Sequence, residues 1–180
     1  GGVMASRGRE EAKVIRRPIV SILATGDELT SAGQVLDGGK IYDSNSFTVA
    51  ASVRACGGIA KVLGIARDNL EDLRRKLDEA APCDLVITSA GVSKGDYDIV
   101  KDVLTERGDI NFWSVRMRPA KPLAFGHLRD SGGRTVPLMG LPGNPVSAMV
   151  AFEMFARPAI RTMLGRRPLN RPMVDGVLTS

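Results

Sequence analysis

Pro18-Ile19-Val20-Ser21-Ile22-Leu23-Ala24-Thr25-Gly26-Asp27-Glu28-Leu29 decides how the rest of the chain is read. Ile19 to Ala24 is short and almost continuously apolar, as a strand buried on both faces of a parallel sheet should be. It ends on a glycine set between a hydroxyl and two carboxylates, so a tight polar turn follows a buried strand. In open α/β sheets, ligands collect beyond the carboxyl ends of such strands.

The same alternation recurs downstream. A polar loop runs to about Tyr42, and Ser44 to Cys56 reads as a helix closed by Gly57-Gly58. Ile59 to Ile65 is a second strand. Leu70, Leu73, Leu77 and Ala80 fall at helical spacing, with Asp68 as the expected N-cap and Glu71 three residues on. Asp84 to Thr88 is a third strand, and a glycine-containing loop leads into a helix from about Ile99 to Arg107, stopped by Gly108. Ile110 to Met117 and Leu123 to Leu128 are further strands. Ser131-Gly132-Gly133 turns the chain back into Thr135 to Leu141. A last helix starts at Asn144-Pro145 and reaches about Leu164, with Pro158 expected to bend it. The order predicts an α/β fold of three layers: a mostly parallel sheet, helices on both faces and an antiparallel hairpin.

Residues 18–165 are read as the domain. Residues 1–17 are polar and basic, a linker or the end of a preceding domain. Residues 166–180 are rich in Arg and Pro and read as the start of a C-terminal segment. The chain opens on Gly1-Gly2, which suggests a piece of something longer.

Composition narrows the classes. Hydrophobic residues make up 43 % and charged residues 25 % of 180, an ordinary globular mix. The net charge of +5 permits an anionic ligand. The basic residues are scattered, and aromatics at 4 % are too few for a base-stacking platform, so nucleic acid is not expected. Cys56 and Cys83 match no zinc or redox spacing and are read as reduced and buried. With no membrane span and no signal peptide, a cytoplasmic protein without membrane contact is the expectation.

Four loops lie just past predicted strands. Thr25-Gly26-Asp27-Glu28 carries acids, the alternative being a turn whose acids are merely solvated. Ser89-Ala90-Gly91-Val92-Ser93-Lys94-Gly95-Asp96-Tyr97-Asp98 is small enough to bring backbone N–H groups to a phosphate. Asp96 and Asp98 could hold Mg²⁺ or simply cap the next helix. Arg116-Met117-Arg118-Pro119-Ala120-Lys121-Pro122 presents cations on a proline-stiffened turn, or is an ordinary surface turn. Leu141-Pro142-Gly143-Asn144-Pro145-Val146-Ser147 is a well-formed helix start, whose first N–H groups are expected to be free for an anion. His127, the single histidine, is read as structural. No nucleophile triad is visible.

Taken together, these loops resemble the molybdopterin molybdenumtransferase family of the bacterial MoeA and gephyrin E-domain type. Thr25-Gly26-Asp27-Glu28-Leu29, Ile41-Tyr42-Asp43-Ser44-Asn45, Gly91-Val92-Ser93 with Gly95-Asp96 and Asp98, Pro119 with Lys121-Pro122, and Leu141 to Ser147 stand in that family's order. The resemblance implies the molybdopterin-binding fold. It implies a reaction in which adenylylated molybdopterin and molybdate combine with loss of AMP, with Mg²⁺ as the divalent ion. It also implies a homodimeric parent protein and an adenylyltransferase as pathway partner. It places Ser93 and Asp98 at the pterin-nucleotide and metal site, Glu28 and Asp68 among acids needed for activity, and Arg118 and Lys121 as the pair that receives molybdate. Thr25, Gly26, Asp27, Gly91, Val92, Gly95, Asp96, Pro142, Gly143, Asn144, Pro145 and Ser147 complete the expected binding surface.

The chain departs from the pattern at Ala90 and Ala120, where glycine is usual, and at Arg118, where lysine is common. Arginine presents a fork instead of a point charge, and a Cβ at position 120 is expected to resist a positive φ. Other readings are an adenylyltransferase-type enzyme, a non-catalytic molybdopterin-binding scaffold and a competence-damage-type pyrophosphatase. The first and last usually carry Gly-Gly-Thr-Gly or Gly-Gly-Leu-Gly-Pro-Thr loops, which are absent here.

Overall fold

The computed structural model describes residues 2–67, 69–89, 102–103, 105–129 and 132–176. Asp68, the loop from Ala90 to Asp98, the start of the helix at Ile99, and Ser131 therefore lie outside the described residues. Among those described, β1 (Ile19–Thr25), β4 (Ile59–Ala66), β5 (Leu85–Ser89), β6 (Gly108–Ser114), β7 (Pro122–Arg129) and β8 (Thr135–Leu141) form one sheet in the order β4-β1-β5-β8-β7-β6. The pairs β4·β1, β1·β5 and β5·β8 are parallel. The antiparallel part is wider than the single hairpin expected, because β6 also pairs antiparallel with β7, from Gly108↔Leu128 to Ser114↔Pro122.

Period-two alternation divides the core. Val20 and Ile22 of β1, Leu85 and Ile87 of β5, and Met139 and Leu141 of β8 pack on one face. They meet α2 (Asn45–Cys56) and the C-terminal helix through Val49, Val53, Ala148, Phe152 and Ile160. Leu23, Val86 and Leu138 point the other way, onto Leu73, Leu77 and Ala80 of α3 (Leu70–Ala80) and onto Val103. Residues 102–103 and 105–107 are helical, and Gly108 opens β6, so the stop expected at that glycine is where the helix ends.

Helix ends follow local chemistry. Gly57, at φ 101°, terminates α2; only glycine takes that conformation without a Cβ penalty. The N-cap of α3 is Asn69, not Asp68, and its side chain accepts from Asp72 N. The C-terminal helix runs through α4 (Pro145–Ala151), a π-helical turn (Phe152–Ala156) and α5 (Arg157–Met163). Pro158 has no N–H and its ring crowds the preceding turn. The response takes the form of a widened π turn, with Arg157 N donating to Phe152 O.

The flanks are tied down at the end of the sheet where β1, β4 and β5 begin. A single helical turn, α1 (Gly2–Ala5), buries nothing. Arg17 donates to Gly57 O and Gly58 O at 2.8 Å each, and Arg166 donates to Cys56 O at 3.3 Å, so two arginines cover the carbonyl end of α2. Both cysteines are free and buried. Burial holds the Cys56 thiol above its ordinary value, with Glu153 adding to the effect.

Arg16 grips Asp84 with both guanidinium nitrogens, at 2.6 and 2.5 Å. Arg16 is the main cause of the Asp84 carboxyl lying below the usual carboxylate range; the Ile19 N–H lowers it further, while burial opposes them. A carboxyl lowered by folding adds stability above its unfolded pKa and loses it as pH falls through the folded one. Thermal unfolding is therefore expected to hold level in this respect from neutrality to about pH 4 and to fall below that. Asp84→Asn should remove part of this acid-side slope. An unchanged slope in the variant would show that the pair adds nothing. The Asp72 carboxyl, lowered first by the Arg67 N–H and then by Arg75, supplies another part of the same limb.

Candidate active site

The four parallel strands end together. Thr25 pairs with Ala66, Ala24 with Ser89, and Ser89 with Leu141. Because Ala124 lies opposite Gly140, the turn from β6 to β7 sits at this same end. One rim thus carries Thr25-Gly26-Asp27-Glu28, Arg67, the exit of β5, Leu141 to Ser147, and residues 115–121. The polar loops that are described lie at this one end of the sheet. They do not touch as one cluster, however. From β1 to β7 is three strand spacings, about 14 Å, so Glu28 and Lys121 stand on opposite flanks of the rim. Asp68, Gly91, Val92, Ser93, Gly95, Asp96 and Asp98 lie outside the described residues.

Gly26 takes φ 135°, and a Cβ there would come within 2.3 Å of Glu28 Oε2. The glycine is needed both for the turn and for the Glu28 side chain that folds back over it. Asp27 and Glu28 are exposed, whereas Thr25 is buried. The segment that follows was read from sequence as plain loop. It contains a two-stranded parallel ribbon, β2 (Leu29–Thr30) with β3 (Ile41–Tyr42). Strands of two residues leave no periodic signal. Leu29 and Thr30 of the ribbon line an open cleft of about 700 Å³ whose walls include Gly26, Asp27, Gln34, Lys40, Arg67 and Asn69. Lys40 and Arg67 were not foreseen as site residues; nothing marks them in sequence apart from their charge.

On the other flank, Arg118 and Lys121 are exposed, and neither forms an ion pair among the described residues. Their turn is closed by Val115 N donating to Lys121 O at 2.8 Å. The Arg118–Pro119 bond is cis. Ala120 corrects the sequence expectation: it does adopt a positive φ, 71°, and is only 2 % exposed. Its methyl is packed in the core cluster with Leu123 and Leu141, and that packing offsets the left-handed cost of about 1–2 kcal/mol.

A second correction concerns the start of α4. The N–H groups of Val146 and Ser147 are not free; both donate to Asn144 Oδ1, at 3.1 and 3.2 Å. Pro145 has none to offer. Asn144 and Pro145 are thus explained as a helix start, and any ligand at this turn must use Gly143, the Asn144 backbone or the Ser147 hydroxyl.

Three buried hydroxyl oxygens, Thr25 Oγ1, Ser46 Oγ and Ser89 Oγ, have no hydrogen-bond partner among the described residues. All belong to the rim or to the first turn of α2. Unsatisfied buried polar atoms are few in folded proteins, and these three lie at the end of the sheet that carries the polar loops. His127 is on β7, exposed, with its ring edge-on to Phe125 at 6.2 Å, away from the rim loops. No helix among the described residues is long and apolar enough to cross a membrane.

These features define a three-layer α/β domain whose polar loops gather beyond the carboxyl ends of a mostly parallel sheet. Residues 21–162 match a family described as "Probable molybdopterin binding domain". The chain is 40 % identical over 171 residues to a molybdopterin molybdenumtransferase of Haemophilus influenzae, covering 94 % of this chain and 41 % of that protein. It is 39 % identical over 186 residues to molybdopterin molybdenumtransferase 2 of Mycobacterium tuberculosis, covering 99 % of this chain and 45 % of that one. The crystal structure of a molybdopterin biosynthesis MoeA protein from Pyrococcus horikosii superposes with a TM-score of 0.78 at 30 % identity, over 93 % of this chain and 40 % of the other. The chain belongs to the molybdopterin-binding-domain family and is homologous to molybdopterin molybdenumtransferases. It spans less than half the length of these curated relatives.

Proposed function

We propose that the chain is the catalytic domain of a molybdopterin molybdenumtransferase, which passes molybdenum from molybdate to the dithiolene of adenylylated molybdopterin with release of AMP. The observation that supports this most is the placement of the Arg118–Lys121 turn. It carries cations that form no ion pair among the described residues and stands beside the Leu141–Ser147 turn, on the rim that also bears Glu28. Molybdate is a dianion and the adenylylated pterin carries phosphates, so fixed cations stabilise the charge that builds during transfer. Arg118 and Lys121 hold the oxyanion, and Ser147 and the Gly143 backbone border it. As two Mo–S bonds form, one molybdate oxygen leaves as water with the two dithiol protons, and a water adds across the phosphoanhydride to free AMP. Glu28 and Asp68 are the carboxylates assigned to carry these protons. In this reading an extended pterin nucleotide is laid along the rim from Thr25, Gly26 and Asp27 past Gly91 to Ser93 toward Pro142.

The family reading includes Mg²⁺. Among the described residues, no group of three or more His, Cys, Asp or Glu side chains is placed to hold a metal. The rim's donors are nevertheless hydroxyl and carboxylate oxygens, the kind magnesium takes, and a phosphate-bound ion needs only one or two carboxylates. Asp96 and Asp98 would hold it; when bound, it neutralises phosphate charge. In this reading the protein acts in the cytoplasm as a homodimer and receives its substrate from an adenylyltransferase.

Incubation with adenylylated molybdopterin is expected to release AMP only when molybdate is added. Consumption of ATP with free molybdopterin would assign adenylyl transfer instead, and pterin binding without turnover in a full-length relative would favour a scaffold. The 180 residues alone are expected to turn over at least a hundredfold more slowly than a full-length relative, because an open rim positions its substrates poorly and positioning is worth roughly 7–11 kcal/mol in well-oriented cases. Equal rates would show that nothing outside this domain shapes the site.

A further inference from the structure

The segment Asp43-Ser44-Asn45 joins two parts of the rim that are remote in sequence. Asp43 is 6 % exposed; its N–H donates to Thr30 O of the ribbon at 2.9 Å, and its Oδ1 accepts from Ser46 N at 3.0 Å. That carboxylate closes the first turn of α2, a task Ser44, the N-cap by position, does not perform with its side chain. Two residues on, Asn45 Nδ2 donates to Gly143 O at 2.7 Å, across 98 residues of sequence, and Asn45 is only 9 % exposed. A carbonyl can only accept, so the amide nitrogen must be the atom that faces it. Asn144, the next residue, caps Val146 and Ser147. Hydrogen bonds joined by single steps of backbone therefore lead from Thr30 on the wall of the 700 Å³ cleft, through the start of α2, to the turn that begins α4.

We propose that Asn45 is a positioning residue: by fixing Gly143 it sets where the Gly143–Ser147 turn stands against Lys121, and so the geometry in which an oxyanion is held. This rests on the molybdate reading above. Gly143 is half-buried, and loss of the Asn45 amide takes from its carbonyl a donor at 2.7 Å, so the turn is expected to shift toward a replacement. Neither Asn45 nor Asp43 needs to touch the substrate for this.

The test uses the 180-residue chain with two variants, Asn45→Ala and the isosteric Asn45→Asp, which keeps the shape but turns an acceptor toward Gly143 O. Amide hydrogen exchange at Ser147 and Ala148 is compared with Val86 in β5 and Leu164 at the far end of the same helix. Inorganic molybdate is titrated by calorimetry. Both variants are expected to exchange about tenfold faster at Ser147 and Ala148 with the control amides unchanged, and to bind molybdate on the order of tenfold more weakly. Unchanged exchange at Ser147 and Ala148 would overturn the proposal. So would faster exchange with unaltered molybdate affinity, which would make Asn45 structural only. If the unmodified chain binds no molybdate, the reading above falls, whereas the exchange arm still decides whether Asn45 holds the turn.

Discussion

Replacing Lys121 by alanine is expected to weaken molybdate binding about ten- to a hundredfold, corresponding to the loss of a charge-assisted hydrogen bond worth roughly 1.5–3 kcal/mol. AMP affinity should change by less than about twofold, since the lysine stands on the flank of the rim away from Gly26. The fold of the turn should survive the change. Lys121 contributes its backbone carbonyl to Val115 N, and the neighbouring Ala120 methyl anchors the turn in the core; neither depends on the lysine side chain. Lys121→Arg keeps the charge and should fall between the two, because a planar fork replaces a compact ammonium. Calorimetric titration of molybdate and of AMP into each variant measures both effects. A loss confined to AMP would move Lys121 to the nucleotide and reverse the orientation proposed for the substrates.

Phe152→Ala should cost about 3–5 kcal/mol of folding stability. Phe152 is 1 % exposed and is the largest fully buried side chain among the described residues. It opens the π-helical turn and packs in the cluster that joins α2 and the C-terminal helix to β1, β5 and β8. For a chain of this length the melting temperature should drop by roughly 6–20 °C. Thermal unfolding followed by circular dichroism tests this, and a loss under about 1 kcal/mol would mean that the helix repacks freely over the sheet.

Much of this architecture was legible before any coordinates. Ile19 to Ala24, Asp84 to Thr88 and Thr135 to Leu141 announced strands because burial on both faces leaves almost no polar residue in them. Gly57 and Gly108 marked helix ends through backbone chemistry that acts within a few residues, as did Asn144-Pro145 at a helix start. The same locality explains the misplaced cap: Asp68 and Asn69 are both good N-caps, and one residue of register separates them. The order of motifs pointed to the molybdopterin-binding family and to one edge of a sheet as the place for chemistry.

What the chain's own letters could not fix were the relations between segments distant in sequence. Lys40 and Arg67 share a cleft only because β4 pairs with β1 and the segment through β2 brings Lys40 beside their ends. Asn45 meets Gly143 because the sheet order brings α2 beside the start of α4. Ala120 tolerates a left-handed backbone because its methyl is buried in a core cluster built from distant strands and helices. Val146 and Ser147 lose their N–H groups to a cap whose strength is local but whose consequence, one fewer anion site, is felt at the rim. Local propensity acts within a turn or two of the chain; hydrogen bonds and packing across dozens of residues exist only once the tertiary fold has brought their partners within reach.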